Sequence, residues 1–123
     1  MTIDSNIVIA YLEGEQKVVD QLSIWKEQNR PLFLSTIAEA EVLGYPEYTP
    51  QERDRTARFI ENNFVPVLCD RGIAYRAAVL RATITIKLPD ALIAATALLT
   101  GTPLVTQNIK DFRHVPGLEI VSL

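Results

Sequence analysis

Short apolar runs alternate along this chain with longer segments in which apolar residues recur at helical spacing. The compact apolar runs have the length of buried strands, and the predicted strands lie near Ile3 and at residues 32–35, 64–68, 103–106 and 118–121. Pro66 interrupts the third of these runs, and because proline donates no ladder hydrogen bond, that strand is expected at a sheet edge or a bend.

The segments between the strands have the apolar spacing of amphipathic or buried helices. The predicted helices cover residues 6–12, 16–28, 51–62, 72–83 and 108–114, with two more beginning at Thr36 and at Asp90. Short strands that alternate with helices predict an α/β domain with a mostly parallel central sheet. In such sheets, ligands bind beyond the carboxyl ends of the strands.

Composition places the chain among ordinary folded domains. Its 123 residues fit one domain, residues 1–123, and 48% apolar against 22% charged residues can build a core. No apolar run reaches the roughly 18 residues of a membrane span, and the N-terminus lacks the pattern of a secretory signal. Cys69 is the one cysteine, so no internal disulfide can form, and the cytoplasm is the predicted location.

The charge balance argues against a generally basic surface for nucleic acid. The formal net charge is −3, although a local carboxylate cluster neutralised by metal would account for part of it. Seven basic residues fall between Arg53 and Lys87, and solvated helix faces are the simplest interpretation of them. The segment from Gln16 to Gln28, which carries Trp25, and the region from Tyr45 to Phe59 are candidate dimer contacts.

Four acidic residues stand at the ends of apolar segments or within them, and they are Asp4, Glu41, Asp90 and Asp111. A carboxylate beside buried residues is unfavourable unless something pairs with it. If the fold gathers the four, they form an all-oxygen site suited to Mg²⁺ or Mn²⁺. Each also has a structural alternative: Asp4 as a helix N-cap, Asp90 as a first-turn residue, and Asp111 as a surface or capping residue.

Glu41 has the weakest structural alternative of the four. Thr36 and Glu39 have the spacing of a capping box, which gives Glu39 a role in starting the helix. Glu41 lies roughly 200° around the helix from Glu39, so the box does not involve it. A carboxylate in that position reaches either solvent or a partner.

Four blocks of sequence resemble, in order, the signature blocks of the PIN-domain family. They are Asp4-Ser5-Asn6, then Ser35 with Glu41, then Lys87 to Ala97, and then Thr106-Gln107-Asn108-Ile109-Lys110-Asp111-Phe112. The resemblance is to VapC-type toxins of toxin–antitoxin pairs and runs from Met1 to the end of the chain. Any one block is a weak signal, whereas four in this order at fitting intervals are a strong one.

The resemblance implies a fold, an activity and partners. The fold is a three-layer α/β/α sandwich, and the activity is endoribonuclease cleavage dependent on Mg²⁺ or Mn²⁺. The implied assembly is a homodimer inhibited by a cognate antitoxin. The acidic family positions match Asp4, Glu41, Asp90 and Asp111, which would be both metal ligands and catalytic residues.

The resemblance also assigns supporting residues. Thr106 and Asn108 match polar residues that support Asp111 or a metal-bound water, and Ser5 or Asn6 would act similarly near Asp4. The chain departs from the family in its acidity and in its short first strand, since only three residues precede Asp4.

Two other function classes have a similar length or fold. A phosphoacceptor receiver domain requires an acidic pair after the first strand and a lysine after the last, and this chain has neither: Asp4 stands alone and Gln107 follows Thr106. A catalytically weak PIN-fold module that binds RNA or a protein partner remains open. His114, the one histidine, is interpreted as a surface or turn residue.

Overall fold

The computed structural model describes residues 1–123 and contains five strands and seven helices. The strands are β1 Thr2–Ile3, β2 Phe33–Ser35, β3 Val65–Val67, β4 Leu104–Thr106 and β5 Ile120–Ser122. The helices are α1 Ser5–Leu12, α2 Gln16–Glu27, α3 Thr36–Leu43, α4 Pro50–Asn63, α5 Arg71–Thr83, α6 Leu88–Thr100 and α7 Ile109–Phe112. Every predicted element is present, with ends that differ from the prediction by no more than two residues.

The strands form one sheet in the order β3-β2-β1-β4-β5, and every pairing is parallel. The predicted α/β/α class is therefore confirmed, with a sheet that is all-parallel. β3 lies at the sheet edge, as the proline in its centre predicted.

The register of the central strands positions the site. Ile3 at the end of β1 pairs with Leu34 of β2 and with Val105 of β4. The backbone N–H of Asp4 then donates to the Val105 carbonyl at 3.0 Å, so the chain leaves β1 while still attached to β4. The carboxyl ends of three neighbouring strands consequently meet at one edge of the sheet.

The main core surrounds the central strands. Ile3, Leu34 and Val105 of the sheet are fully buried together with residues of α1 and α6. Burying side chains of this size stabilises a fold by about 1.5–3 kcal/mol each. α6 has six buried residues, four of them alanines, and these small side chains permit close approach to the sheet and to α5.

Two details of the sequence interpretation change in the structure. The N-cap of α3 is Ser35, whose hydroxyl accepts from the N–H of Ile37 at 3.1 Å, so the predicted capping box from Thr36 to Glu39 is wrong. The helix begins one residue earlier than that box requires, and the Thr36 hydroxyl accepts instead from the N–H of Cys69. Trp25 is 7% exposed and is part of the core.

No single helix is both long and apolar enough to cross a membrane. The pair α5 and α6, bent by 120° at their junction, reaches the required length and composition only when the two are taken together.

Candidate active site

Asp4 lies at the carboxyl end of β1 and caps helix α1. Its Oδ1 accepts from the backbone N–H of Ser5 at 2.8 Å, and its Oδ2 accepts from the Thr106 hydroxyl at 2.7 Å. The residue is only 4% exposed. Asp4 can therefore cap α1 and also belong to a site at the sheet edge, because the hydrogen bond that caps the helix also fixes the direction of the carboxylate.

Thr106 is the centre of the hydrogen bonds at this edge. Besides donating to Asp4, its hydroxyl accepts from Asn6 Nδ2 at 3.2 Å and from the N–H of Asn108 at 3.0 Å. Thr106 was expected to position Asp111 or a metal-bound water; its hydroxyl bonds to Asp4, because β4 lies directly beside β1. Asn108 meets Asp111 through its backbone, where its carbonyl accepts from the Asp111 N–H at 3.1 Å.

Ser5 and Asn6 both lie where they were expected, next to Asp4. The Ser5 hydroxyl is 3.4 Å from Asp4 Oδ1. The Asn6 amide nitrogen donates to Thr106 at the end of β4, and its oxygen accepts from the N–H of Gln107 in the loop that follows.

Gln107 was not singled out from the sequence. Its N–H donates to Asn6 Oδ1 at 3.4 Å, and its side-chain amide lies 3.1 Å from both carboxylate oxygens of Glu15. It therefore connects the loop after β4 to the segment that follows α1. No local signal marks it, because its partners are far away in the chain.

The other three acids approach Asp4 from three helices. Glu41 projects from α3 and is exposed, Asp90 lies half-buried in the first turn of α6, and Asp111 is exposed on α7. Each acid comes from a different element, so their proximity results from the tertiary fold.

The pKa values of Asp4 and Asp90 are affected by the charges of the neighbouring acids. Burial raises the pKa of Asp4, and the Asp111 charge adds to the rise, against hydrogen bonds from Thr106 and Ser5 that lower it. Burial raises the pKa of Asp90, followed by the charges of Asp111 and Asp4, while Lys87 opposes the rise.

Glu41 belongs to the same neighbourhood. Burial of its carboxyl raises its pKa, the Ser5 hydroxyl lowers it, and the charges of Asp4 and Asp90 raise it. The structure thus brings all four predicted acids close enough to influence one another.

The donor set matches a hard divalent cation in chemical class, since it consists of carboxylate oxygens flanked by hydroxyl and amide groups. Asp90 and Asp111 accept no side-chain hydrogen bond, which leaves their oxygens open to a cation. In the present side-chain conformations no three histidine, cysteine, aspartate or glutamate residues form a group that could hold an ion.

A groove with a volume of about 520 Å³ begins at Glu41 and runs along α1 and the turn after α3. Its walls include Ile9, Leu12, Tyr45 and Tyr48. A second depression of about 450 Å³ follows residues 107–111, beside Asp111. The carboxylate edge is thus open on two sides.

Five of the seven basic residues of the middle segment lie on exposed helix faces, as the simplest interpretation predicted, and Lys87 is exposed just before α6. Arg53 is the exception, since its guanidinium donates to the carbonyls of Leu43 and Tyr45. The one ion pair within 4.0 Å joins Lys17 and Glu15. His114 is exposed and accepts a hydrogen bond from Arg113, which agrees with its interpretation as a surface residue.

Comparison with known proteins identifies a family for this arrangement. The sequence matches the family described as PIN domain over residues 1–118. A toxin-antitoxin complex from Klebsiella pneumoniae contains a chain 34% identical to this one, with a TM-score of 0.79 over 98% of this chain and 94% of that chain. The VapBC2 complex of Rickettsia felis, bound to a DNA fragment from its promoter, shares the fold with a TM-score of 0.84 at 19% identity, over 99% and 97% of the two chains.

Curated relatives point the same way. Ribonuclease VapC of Rickettsia bellii is 24% identical over 100% of this chain and 96% of that protein. Ribonuclease VapC1 of Rickettsia felis is 50% identical over 40 residues, a match that spans 32% of this chain and 30% of that protein. The chain therefore belongs to the PIN-domain family, within which it resembles VapC-type proteins.

Proposed function

We propose that this protein is a divalent-metal-dependent endoribonuclease that hydrolyses RNA phosphodiester bonds, and that it is the toxin of a type II toxin–antitoxin pair. One observation carries the proposal: four carboxylates from four separate elements meet at the carboxyl edge of a parallel sheet, and three of them have pKa values raised in part by one another's charge. Mutually repelling acids at a ligand-binding edge are characteristic of functional sites.

Phosphodiester hydrolysis requires an activated water, an aligned phosphate and compensation for charge that develops on it. A Mg²⁺ or Mn²⁺ ion bound by Asp4, Glu41, Asp90 and Asp111 would supply acidification of water and neutralisation of that charge. No histidine is required for this chemistry, in agreement with the position of the one histidine on the surface.

The residues of the chain have separable roles in this proposal. Asp4 is buried and held by Thr106 and Ser5, so it acts as the fixed ligand from which the site is built. Glu41 is exposed and Asp90 is half-buried, so both are more accessible than Asp4. Burial and then nearby charges raise the pKa values of both carboxyls, and a bound cation would offset that rise by favouring their ionised form.

The proposal includes partners. A chain of the Klebsiella pneumoniae toxin-antitoxin complex resembles this one, which supports a cognate antitoxin here. A homodimer in the cytoplasm completes the proposal. Exposed apolar side chains such as Leu68, at 71% exposure, and Leu99, at 55%, provide surface for protein contacts. Sedimentation of the purified chain with and without a co-expressed antitoxin measures both associations.

The direct test is cleavage of a mixed pool of structured and unstructured RNAs in Mg²⁺, in Mn²⁺ and in chelator. Asp4→Asn preserves the helix cap but removes the charge, so it is expected to abolish cutting. Asp54→Asn, an exposed acid on α4, is the matched control and is expected to cut like the wild type. Cleavage that survives in chelator or in Asp4→Asn would contradict a nuclease based on these acids.

A second candidate function is a module of the same fold that binds RNA or protein without cutting. The observation that favours it is that no three of the acids are arranged to hold an ion in the present side-chain conformations. Calorimetric titration with Mg²⁺ separates the two candidates, since a binding module needs no metal affinity at this edge.

A further inference from the structure

Apart from Glu41 itself, the residues that line the groove beginning at Glu41 are not part of the four-carboxylate site. It is lined by apolar and aromatic side chains, among them Ile9, Leu12, Tyr45, Pro46 and Tyr48. Leu12 and Tyr45 are 39% and 49% exposed, so these apolar surfaces face solvent. A groove of about 520 Å³ lies within the range of sites that enclose small molecules, and an aromatic nucleobase is of that class.

We propose that this groove is the subsite for an unpaired RNA base next to the phosphodiester that is cut, with Tyr45 and Tyr48 as its stacking surface and Arg55 beside the following phosphate. The inference rests on the proposed function, because it takes the carboxylate edge as the place where the phosphate binds. Glu41 belongs both to that edge and to the groove wall, so the groove adjoins the place where the phosphate would bind.

The charge of the groove decides which part of a nucleotide enters it. Its charged lining residues are Glu13 and Glu41, both acidic, and no cation lines it. Further acids surround Tyr45: a hydrogen bond to Glu47 raises the pKa of its hydroxyl most, and the charges of Glu13 and Glu52 add to the rise. A phosphate is repelled from such a place, whereas a neutral base with a π-face is not.

The continuation of the groove has the opposite character. A neighbouring depression shares Leu12 and Tyr48 with it and includes Arg55. Arg55 is exposed and makes no ion pair within 4.0 Å, so its guanidinium is free for a phosphate. The carboxylate edge, the aromatic groove and Arg55 therefore adjoin one another in that order. In the proposal they take one phosphate, its neighbouring base and the next phosphate of a single RNA strand.

The aromatic wall is held in place before any ligand binds. The Arg53 guanidinium donates to the carbonyls of Leu43 at 3.0 Å and Tyr45 at 3.2 Å, and the N–H of Tyr48 donates to the Tyr45 carbonyl at 3.2 Å. The two tyrosine rings meet edge to face with centroids 5.2 Å apart. A wall already ordered in this way loses little conformational entropy when a base stacks on it.

Gly44 allows this turn to form. A Cβ at that position would lie 2.9 Å from the Ala40 carbonyl oxygen, so any larger residue would displace the start of the turn. The turn that carries Tyr45 is thereby folded tightly against the end of α3.

The experiment measures binding separately from cleavage. Asp4→Asn protein is mixed in Mg²⁺ with a short single-stranded oligoribonucleotide that contains 2-aminopurine, whose fluorescence falls when it stacks. Tyr45→Ala added to this background is expected to weaken binding about 5- to 150-fold, the equivalent of about 1–3 kcal/mol at 1.4 kcal/mol per tenfold, and to abolish the quench. Tyr45→Phe keeps the aromatic ring and is expected to retain both the RNA affinity and the fluorescence quench.

Two variants act as controls within the same assay. Tyr75→Ala removes a tyrosine that is 75% exposed on α5, outside the groove, and is expected to leave binding and quench unchanged. Arg55→Gln is expected to leave the quench intact and to reduce the salt dependence of log Kd by about 0.7 for one lost phosphate contact.

The outcomes separate this inference from the proposed function. The base subsite is overturned if adding Tyr45→Ala to the Asp4→Asn protein changes neither the RNA affinity nor the fluorescence quench. This holds whatever the cleavage assay gives. Tyr45→Ala could instead leave RNA binding intact and abolish self-association or the capture of a protein segment. That result would assign the groove to a protein contact and would also overturn the base subsite. A tyrosine-dependent quench in a protein that never cuts RNA supports the subsite and removes only the nuclease.

Discussion

Replacing Thr106 by valine is expected to weaken the fold mainly through Asp4. The substitution keeps the branched shape of a fully buried residue and removes the hydroxyl that donates to Asp4 Oδ2 at 2.7 Å. Asn6 and Asn108 each donate a hydrogen bond to the Thr106 hydroxyl. Asn6 is half-buried and Asn108 is exposed, so water can accept from both once that hydroxyl is removed. Asp4 is 4% exposed and has no such access.

The size of the effect follows from that difference in exposure. A hydrogen bond to a charged group contributes about 1.5–3 kcal/mol, and here it is lost almost entirely. At about 2.1 cal/mol/K per residue over 123 residues, this loss lowers the melting temperature by about 6–12 °C at neutral pH. Thr106→Ser keeps the hydroxyl and is the matched control, expected to lose much less.

The pH dependence gives a second readout of the same contact. The bond from Thr106 lowers the pKa of Asp4, so its removal raises that pKa further above the ordinary value of 3.8. A carboxyl whose folded pKa is raised contributes stability that is full below its unfolded pKa and is lost as pH rises through the folded pKa. The gap between Thr106→Val and wild type is therefore widest where Asp4 is ionised and narrows as pH falls toward 3.8.

Thermal unfolding followed by circular dichroism, in chelator, at several pH values measures both effects. A melting temperature of Thr106→Val equal to that of Thr106→Ser at neutral pH would refute the reasoning. A gap that widens on acidification would refute it as well, because it would mean that the bond favours the neutral carboxyl.

Three other outcomes test other parts of the molecule. Asp90→Asn removes no side-chain hydrogen bond and relieves both the burial of a charge and its repulsion by Asp111 and Asp4, so at neutral pH in chelator it is expected to melt about 1–4 °C higher than wild type. Because the pKa of Asp90 is raised, that gain disappears below its ordinary value of 3.8, and a gain that persists there would contradict the account. Mg²⁺ is expected to raise the melting temperature of wild type but not of Asp90→Asn, as scanning fluorimetry across a titration will measure. Thr49→Ala removes the capping box of α4, in which the Thr49 hydroxyl accepts from the N–H of Glu52 at 3.1 Å, and is expected to destabilise by about 0.5–2 kcal/mol in urea unfolding. Thr83→Ala is the control for this variant. Thr83 is the last residue of α5 and caps no helix N-terminus, so the substitution is expected to change the free energy of unfolding by less than about 0.5 kcal/mol.

The sequence by itself determined the elements and the chemical class of the site. Helices such as Arg71–Thr83 and strands such as Leu104–Thr106 follow from apolar spacing and from breakers within a few residues, which are properties of the local chain. The position of β3 at the edge followed from one proline. The four acids were found because each stands at an apolar boundary and because the blocks around them resemble a family.

Only the tertiary structure decided which groups meet. Thr106 and Asp4 are 102 positions apart, and their bond exists because β4 pairs with β1 in one particular register. The link from Gln107 to Glu15, the burial of Trp25 and the aromatic groove beside Glu41 likewise depend on how the elements pack. The physical reason is that local spacing fixes which face of an element is apolar, whereas the partner of each polar side chain is set by sheet register and helix packing across distant parts of the chain.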